Sequence, residues 1–220
     1  MSSARRMRVL APVAAAALAG ALALGGCGSG DSSSASSGGH AASVSSAPQG
    51  KYAGVNLPTP YHRPSFTLTD TAGAPYDFTA ATKGRPTLLF FGYTHCPDVC
   101  PTTMADVAVA LRGVDPALAK QVQVVFVTTD PARDTPAVLG QWLGNFDRDL
   151  PGKFVGLTGS QAQLDQAQLS AGVPLAQESG QQHSALLLLY GADDKAHVAF
   201  DAGNGPKDIE HDLRLVAAGS

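Results

Sequence analysis

Three cysteines in 220 residues are too few for a disulfide framework of the kind that holds small secreted domains together. Cationic surplus is also missing: 15 Lys and Arg against 18 Asp and Glu give a formal net charge of -3, and a broad phosphate-binding surface is excluded with it. Nucleic acid is therefore not an expected partner. Charged residues are sparse at 15%, but apolar ones reach 44%, enough to build a core and too many for a chain disordered throughout. Once the ends are discounted, the length leaves room for one domain.

No long uninterrupted apolar run is present either. Arg5, Arg6 and Arg8 precede an alanine-rich stretch from Val9 to Leu24 that contains Pro12 and Gly20, shorter than the roughly 20 apolar residues a membrane span wants. The order of charge, apolar run and small residues reads as a secretion signal over residues 1–26. Leu24-Gly25-Gly26-Cys27 is similar to a bacterial lipobox, which makes Cys27 the expected lipidation site and the extracytoplasmic face of the cell membrane the expected location. Arg5-Arg6 leaves the export route, general or twin-arginine, open. Residues 27–53 are dominated by Ser, Ala and Gly and read as a flexible tether in which His40 has no expected role.

The remainder, residues 54–220, is expected to fold as a single domain. Ser65–Asp70 alternates apolar and polar residues, and Thr87-Leu88-Leu89-Phe90-Phe91 is an apolar run between glycines that suits a strand buried on both faces. Helical spacing begins at Pro101 and runs to Gly113, followed by a second buried strand at Gln123–Thr129. Pro136 opens a further helix, Ser160 with Gln163 reads as a capping box, and Ser184–Tyr190 with Ala196–Asp201 reads as a hairpin before a last helix after Pro206. This order fits an α/β, thioredoxin-like domain with a central mixed sheet flanked by helices.

Cys96 and Cys100 lie between the first buried strand and the next helix, where free amides and the helix dipole favour thiolates. The spacing leaves three readings open: a structural disulfide, a redox pair one residue longer than C-x-x-C, and a site for a soft metal. Two thiolates suit Cu(I), whereas zinc asks for four ligands. His183, placed before the late apolar strand, is the candidate third ligand. His95 is the rival, but adjacent residues rarely point the same way.

Phe91-Gly92-Tyr93-Thr94-His95-Cys96-Pro97-Asp98-Val99-Cys100-Pro101, followed by Asp130-Pro131-Ala132-Arg133-Asp134-Thr135-Pro136, closely resembles the Sco/SenC family over the chain from about Ser65 to the C-terminal helix. The resemblance implies a membrane-tethered copper chaperone, with Cys96 and Cys100 as thiolate ligands and His183 as the imidazole ligand. Cu(I) is the implied cargo, with Cu(II) open. Implied partners are the copper-site subunit of cytochrome c oxidase, whose CuA centre such proteins help to build, and other copper chaperones or thiol reductants. Asp130 is a candidate for supporting the ligands from a strand end; Arg133 and Asp134 are expected to form a local ion pair. Gln182 directly precedes His183, where the family often carries an acidic residue. The competing function is a thiol-disulfide oxidoreductase acting through Cys96 and Cys100 on the apo-oxidase. A peroxide reductase using Arg133 ranks last.

Overall fold

The computed structural model describes residues 50–178 and 180–219. The signal, Cys27 and the tether as far as residue 49 lie outside the described residues. Eight strands form one sheet: β1 (Val55–His62), β2 (Thr67–Asp70), β3 (Pro75–Asp77), β4 (Thr87–Gly92), β5 (Gln123–Thr128), β6 (Val155–Thr158), β7 (Leu187–Tyr190) and β8 (Lys195–Phe200). Six helices accompany them: α1 (Phe78–Thr82), α2 (Val99–Gly113), α3 (Pro116–Gln121), α4 (Pro136–Asp147), α5 (Gln161–Ser170) and α6 (Pro206–Ala217). The spatial order is β1-β8-β7-β4-β5-β6-β2-β3. The fold is α/β and thioredoxin-like, with a parallel β4-β5-β6 centre and antiparallel strands on both sides.

β4 is buried at all six positions, which is why its sequence runs apolar without alternation. Successive residues serve opposite faces: Leu88 and Phe90 pack with Met104, Leu139 and Leu213, whereas Leu89 and Phe91 pack with Phe78, Leu164 and Tyr190. The sheet is thus covered on both sides. At the far edge β1 carries Pro58 and Pro60, tolerated because an edge strand can forgo amide donors, and its register against β8 shifts between Asn56 and Tyr61.

Of the boundaries that differ from the sequence-based expectation, two shape the site. α2 begins at Val99 rather than Pro101, so Cys100 sits in its first turn while Cys96 stays in the preceding loop. The two cysteines therefore do not share a helical turn. Their approach comes from capping: the Cys100 amide donates to Cys96 Sγ at 3.4 Å, while Asp98, at the N-cap position, makes no side-chain cap. The late strand begins at Leu187 rather than Ser184. Its pairing with β4 ends at Leu89↔Leu188, although β4 continues to Gly92, so residues 183–186 peel away and open a cleft beside Phe90.

Candidate metal centre

Gly92 ends β4, and a Cβ there would stand 2.8 Å from Cys100 Sγ and 2.7 Å from the Phe90 ring. A glycine at this point is what lets the thiol enter the cleft. From Tyr93 the chain turns into the cysteine loop, which is tied down by Asp134. One oxygen of that fully buried carboxylate accepts the Thr94 amide at 2.9 Å and the Thr128 hydroxyl at 2.7 Å; the other accepts the Thr94 hydroxyl at 2.6 Å. Asp134 thus does not pair with Arg133. Arg133 reaches back to Asp130 instead and lies 5.8 Å from the Tyr93 ring centre.

Cys96 Sγ, Cys100 Sγ and an imidazole nitrogen of His183 all lie within 4.8 Å of one another, a cluster able to hold a metal ion. His183 Nε2 is 3.4 Å from Cys100 Sγ, and Nδ1 is 2.9 Å from the Ser184 carbonyl. A carbonyl only accepts, so Nδ1 carries the proton and Nε2 presents its lone pair to the sulfur. The ring is held edge-on between Phe90 and Tyr93, at 5.9 and 5.6 Å with interplanar angles of 89° and 88°. These aromatic walls and Ser184 orient the histidine. Gln182 contributes backbone bonds to Gln177 instead.

The two thiols differ. Burial raises the Cys96 pKa, but the amides of Cys100, Asp98 and Val99 and a bond from the Cys100 thiol outweigh it and hold Cys96 below the ordinary thiol range. Burial pushes Cys100 far above it, with the nearby Cys96 and Asp134 charges adding to the rise against a backbone bond at Tyr93. Cys96 also lines an open cavity of about 540 Å³ with Val99, Leu175, Gln181 and His183, whereas Cys100 is fully buried. Both cysteines are unbridged.

The other candidates lie elsewhere. His95 is exposed, and its Nδ1 is 3.0 Å from the Thr94 hydroxyl. That hydroxyl spends its proton on Asp134, so His95 donates to it, and His95 is not among the three residues whose donor atoms converge. The Asp130 carboxylate is taken by Arg133, and none of its hydrogen bonds reaches Cys96, Cys100 or His183.

Sequence reasoning missed Thr129 and Gly180. The Thr129 amide donates to the Gly92 carbonyl at 2.7 Å and its hydroxyl to the Gly180 carbonyl at 2.7 Å, joining the end of β4 to the loop that carries His183. Gly180 has φ +89°, and a Cβ there would collide with the Thr129 carbonyl, so only glycine permits the approach. Thr129→Val should leave the buried Gly180 carbonyl unsatisfied, weaken metal affinity about tenfold and broaden the His183 ring resonances. Thr129→Ser should restore both; NMR with metal-competition titration checks the pair, and equal behaviour of Val and Ser variants would refute the positioning role.

Fold and donor set together define a thioredoxin-like protein whose cysteine loop and a late-loop histidine form a soft-metal and thiol site. Residues 56–218 match the sequence model of the SCO1/SenC family, and the chain belongs to that family. A putative copper-binding protein of Stutzerimonas stutzeri is 35% identical over 143 residues, covering 62% of this chain and 68% of that one. Among solved structures, copper-bound ScoI of Bradyrhizobium japonicum is 34% identical with TM-score 0.56, covering 69% of this chain and 97% of that one. A SCO1/SenC family lipoprotein of Bacillus anthracis is 25% identical with TM-score 0.61, covering 73% and 99%. Of two mitochondrial relatives, SCO2 of Saccharomyces cerevisiae and the SCO2 homologue of Bos taurus, the chain spans only about a third of the length (31% and 32%).

Proposed function

We propose that this protein is a membrane-tethered copper carrier that holds one Cu(I) through Cys96, Cys100 and His183 and hands it to the copper-site subunit of cytochrome c oxidase. The observation that carries this reading is the convergence of the three donor atoms within 4.8 Å. Two sulfurs and one imidazole match the softness of Cu(I) and fall short of the four ligands of a closed zinc site. The neutral Nε2 lone pair and the unbridged thiols need no rearrangement of tautomer or disulfide before loading. Cys96 and His183 face the open cavity, so an incoming thiol has access to the ion from that side.

Anaerobic loading followed by metal analysis should give about one copper per chain, because one soft donor set is present among the described residues. The Cys96→Ser, Cys100→Ser double variant should retain none above background. Equal retention by that variant would refute the assignment.

The difference between the thiols favours a second reading, thiol-disulfide exchange. Cys96, accessible and ionised more readily, would attack a partner disulfide to form a mixed disulfide and release one partner thiol. Cys100 would then attack Cys96 Sγ, release the second partner thiol and leave the Cys96–Cys100 disulfide. Two electrons pass to the partner. This would make the protein a reductase of the apo-oxidase copper site.

Location on the extracytoplasmic face of the cell membrane, through lipid on Cys27, rests on the charged start, the apolar run and the lipobox in sequence order. No helix among the described residues is long and apolar enough to cross a membrane. Mass spectrometry of the native protein should find a lipidated N-terminus at Cys27. A mature chain that still begins at Met1 would replace lipid by an uncleaved anchor.

A further inference from the structure

Beside the metal centre, but separate from it, a second cavity of about 170 Å³ lies between the first half of α2, the start of β7 and the loop from β8 into α6. Its walls are apolar, formed by Val99, Leu187, Phe200 and Ile209. Asp98, Asp106 and Asp201 also line it, and no basic residue does. The volume is below the ~300–1,000 Å³ of small-molecule sites and suits a single long side chain.

Asp106 makes no hydrogen bond or ion pair with any described residue, and its half-buried position raises its pKa through desolvation. A carboxylate that meets no described side chain is open to a cation brought by a partner. A bare metal ion does not fit that role, because among the described residues only Cys96, Cys100 and His183 approach closely enough for three such donors to share an ion. Spread carboxylates around an apolar pocket instead match a cation on an apolar stem. The chain's own tether does not supply it, since residues 27–50 contain no lysine or arginine and Lys51 lies over the Tyr52 ring, lining a different cavity.

We propose that this pocket is a docking site for an arginine side chain of the thiol-bearing protein that receives copper. The proposal rests on the carrier reading above. Val99 lines both this pocket and the mouth of the metal centre, and Asp98 and Val99 stand between the two cysteines in sequence. An acceptor anchored here presents its thiols beside Cys96. The guanidinium meets Asp106 and the free oxygen of Asp201, whose other oxygen accepts the Gly203 amide at 2.8 Å. Its methylenes lie against Val99, the half-exposed apolar residue of the pocket.

The test has a binding arm and a transfer arm. On reduced, copper-free protein, n-butylguanidinium should give saturable shifts of the Leu187 and Ile209 methyl resonances and bind about tenfold tighter than neutral n-butylurea. Asp106→Asn, nearly isosteric at a position with no internal partner, should remove that preference while leaving copper affinity unchanged. In transfer, cysteine peptides carrying one arginine at varied distances from the thiols should include members that accept copper about tenfold faster than their citrulline counterparts. Asp106→Asn should equalise the rates. Absent shifts, a preference that survives Asp106→Asn, or equal transfer rates across the whole peptide set would each overturn the docking site. Failure of the wild type to hold copper would overturn the carrier reading and, with it, the proposed occupant. The binding arm needs no metal and separates the two failures.

Discussion

Protein oxidised to the Cys96–Cys100 disulfide before loading should bind Cu(I) more than about a hundredfold more weakly than reduced protein. The scale follows from a comparison: losing only the hydrogen-bond partners of a metal ligand costs about 10- to 100-fold, and a disulfide removes two ligands outright. Reduction should restore loading completely, because both thiols are free and stand beside His183. The pH dependence follows from the unequal thiols. Binding requires both sulfurs to lose their protons, so affinity rises with pH. Cys100, pushed far up by burial, releases its proton on loading throughout the neutral range. Cys96 is held down and adds a second proton only when the pH falls below its own pKa. The logarithm of the affinity should therefore change by about one per pH unit above the Cys96 pKa and by about two below it. Competition against a chromophoric Cu(I) chelator across pH reads both slopes. A pH-independent affinity, or full loading of the oxidised form, would remove Cys96 and Cys100 from the ligand set.

Much of this centre is legible before folding because its chemistry is concentrated in short stretches. The apolar run of β4 announces a central strand, and the thiols that follow it must lie at its carboxyl end. The start signals of α4 and α5 are equally local: Pro136 opens the one, and Ser160 exchanges bonds with Gln163 at the other. The supports of the site are different. Thr129 meets Gly180 across 51 residues and Asp134 meets Thr94 across 40, contacts that exist only after β4, β5 and the histidine loop have assembled. A threonine after a buried strand and a glycine in a polar loop carry no local mark of that meeting. Asp134 also misleads, since Arg133 next to it suggests an exposed ion pair while the backbone turns the carboxylate inward and leaves Arg133 to Asp130. β1 is hidden for another reason: its two prolines argue against a central strand, and its edge position, set by pairing with β8, is what makes them acceptable. The strand after His183 shows the opposite error. Ser184 to Leu186 continue the apolar hairpin in sequence, yet Ser184 accepts the Leu186 amide through its hydroxyl and the His183 Nδ1 proton through its carbonyl, which holds the chain off the sheet and makes room for the imidazole.

His183→Ala should separate copper carriage from thiol chemistry within one protein. The imidazole offers Nε2 to the site and takes no electrons, so its removal should lower Cu(I) affinity by more than about a hundredfold, again above the cost of disturbing a ligand's partners alone. The dithiol-disulfide pair should still cycle. Cys96 keeps the helix-start amides and the Cys100 thiol bond that favour its thiolate, and Cys100 loses only a 3.4 Å contact with the imidazole, so the midpoint potential should stay within about 30 mV of wild type. The gap left between Phe90 and Tyr93 opens onto the cavity at the mouth of the site, which limits the loss of stability; a thermal melt checks that the variant remains folded. Three measurements on this one variant then decide between the functions: copper affinity, the potential of the pair, and assembly of the oxidase copper centre in cells. A carrier requires that assembly fail together with copper binding while the potential holds. If copper binding is lost, the pair still cycles and the oxidase centre assembles fully, reduction of the acceptor's thiols is the working activity, and the histidine serves some other end.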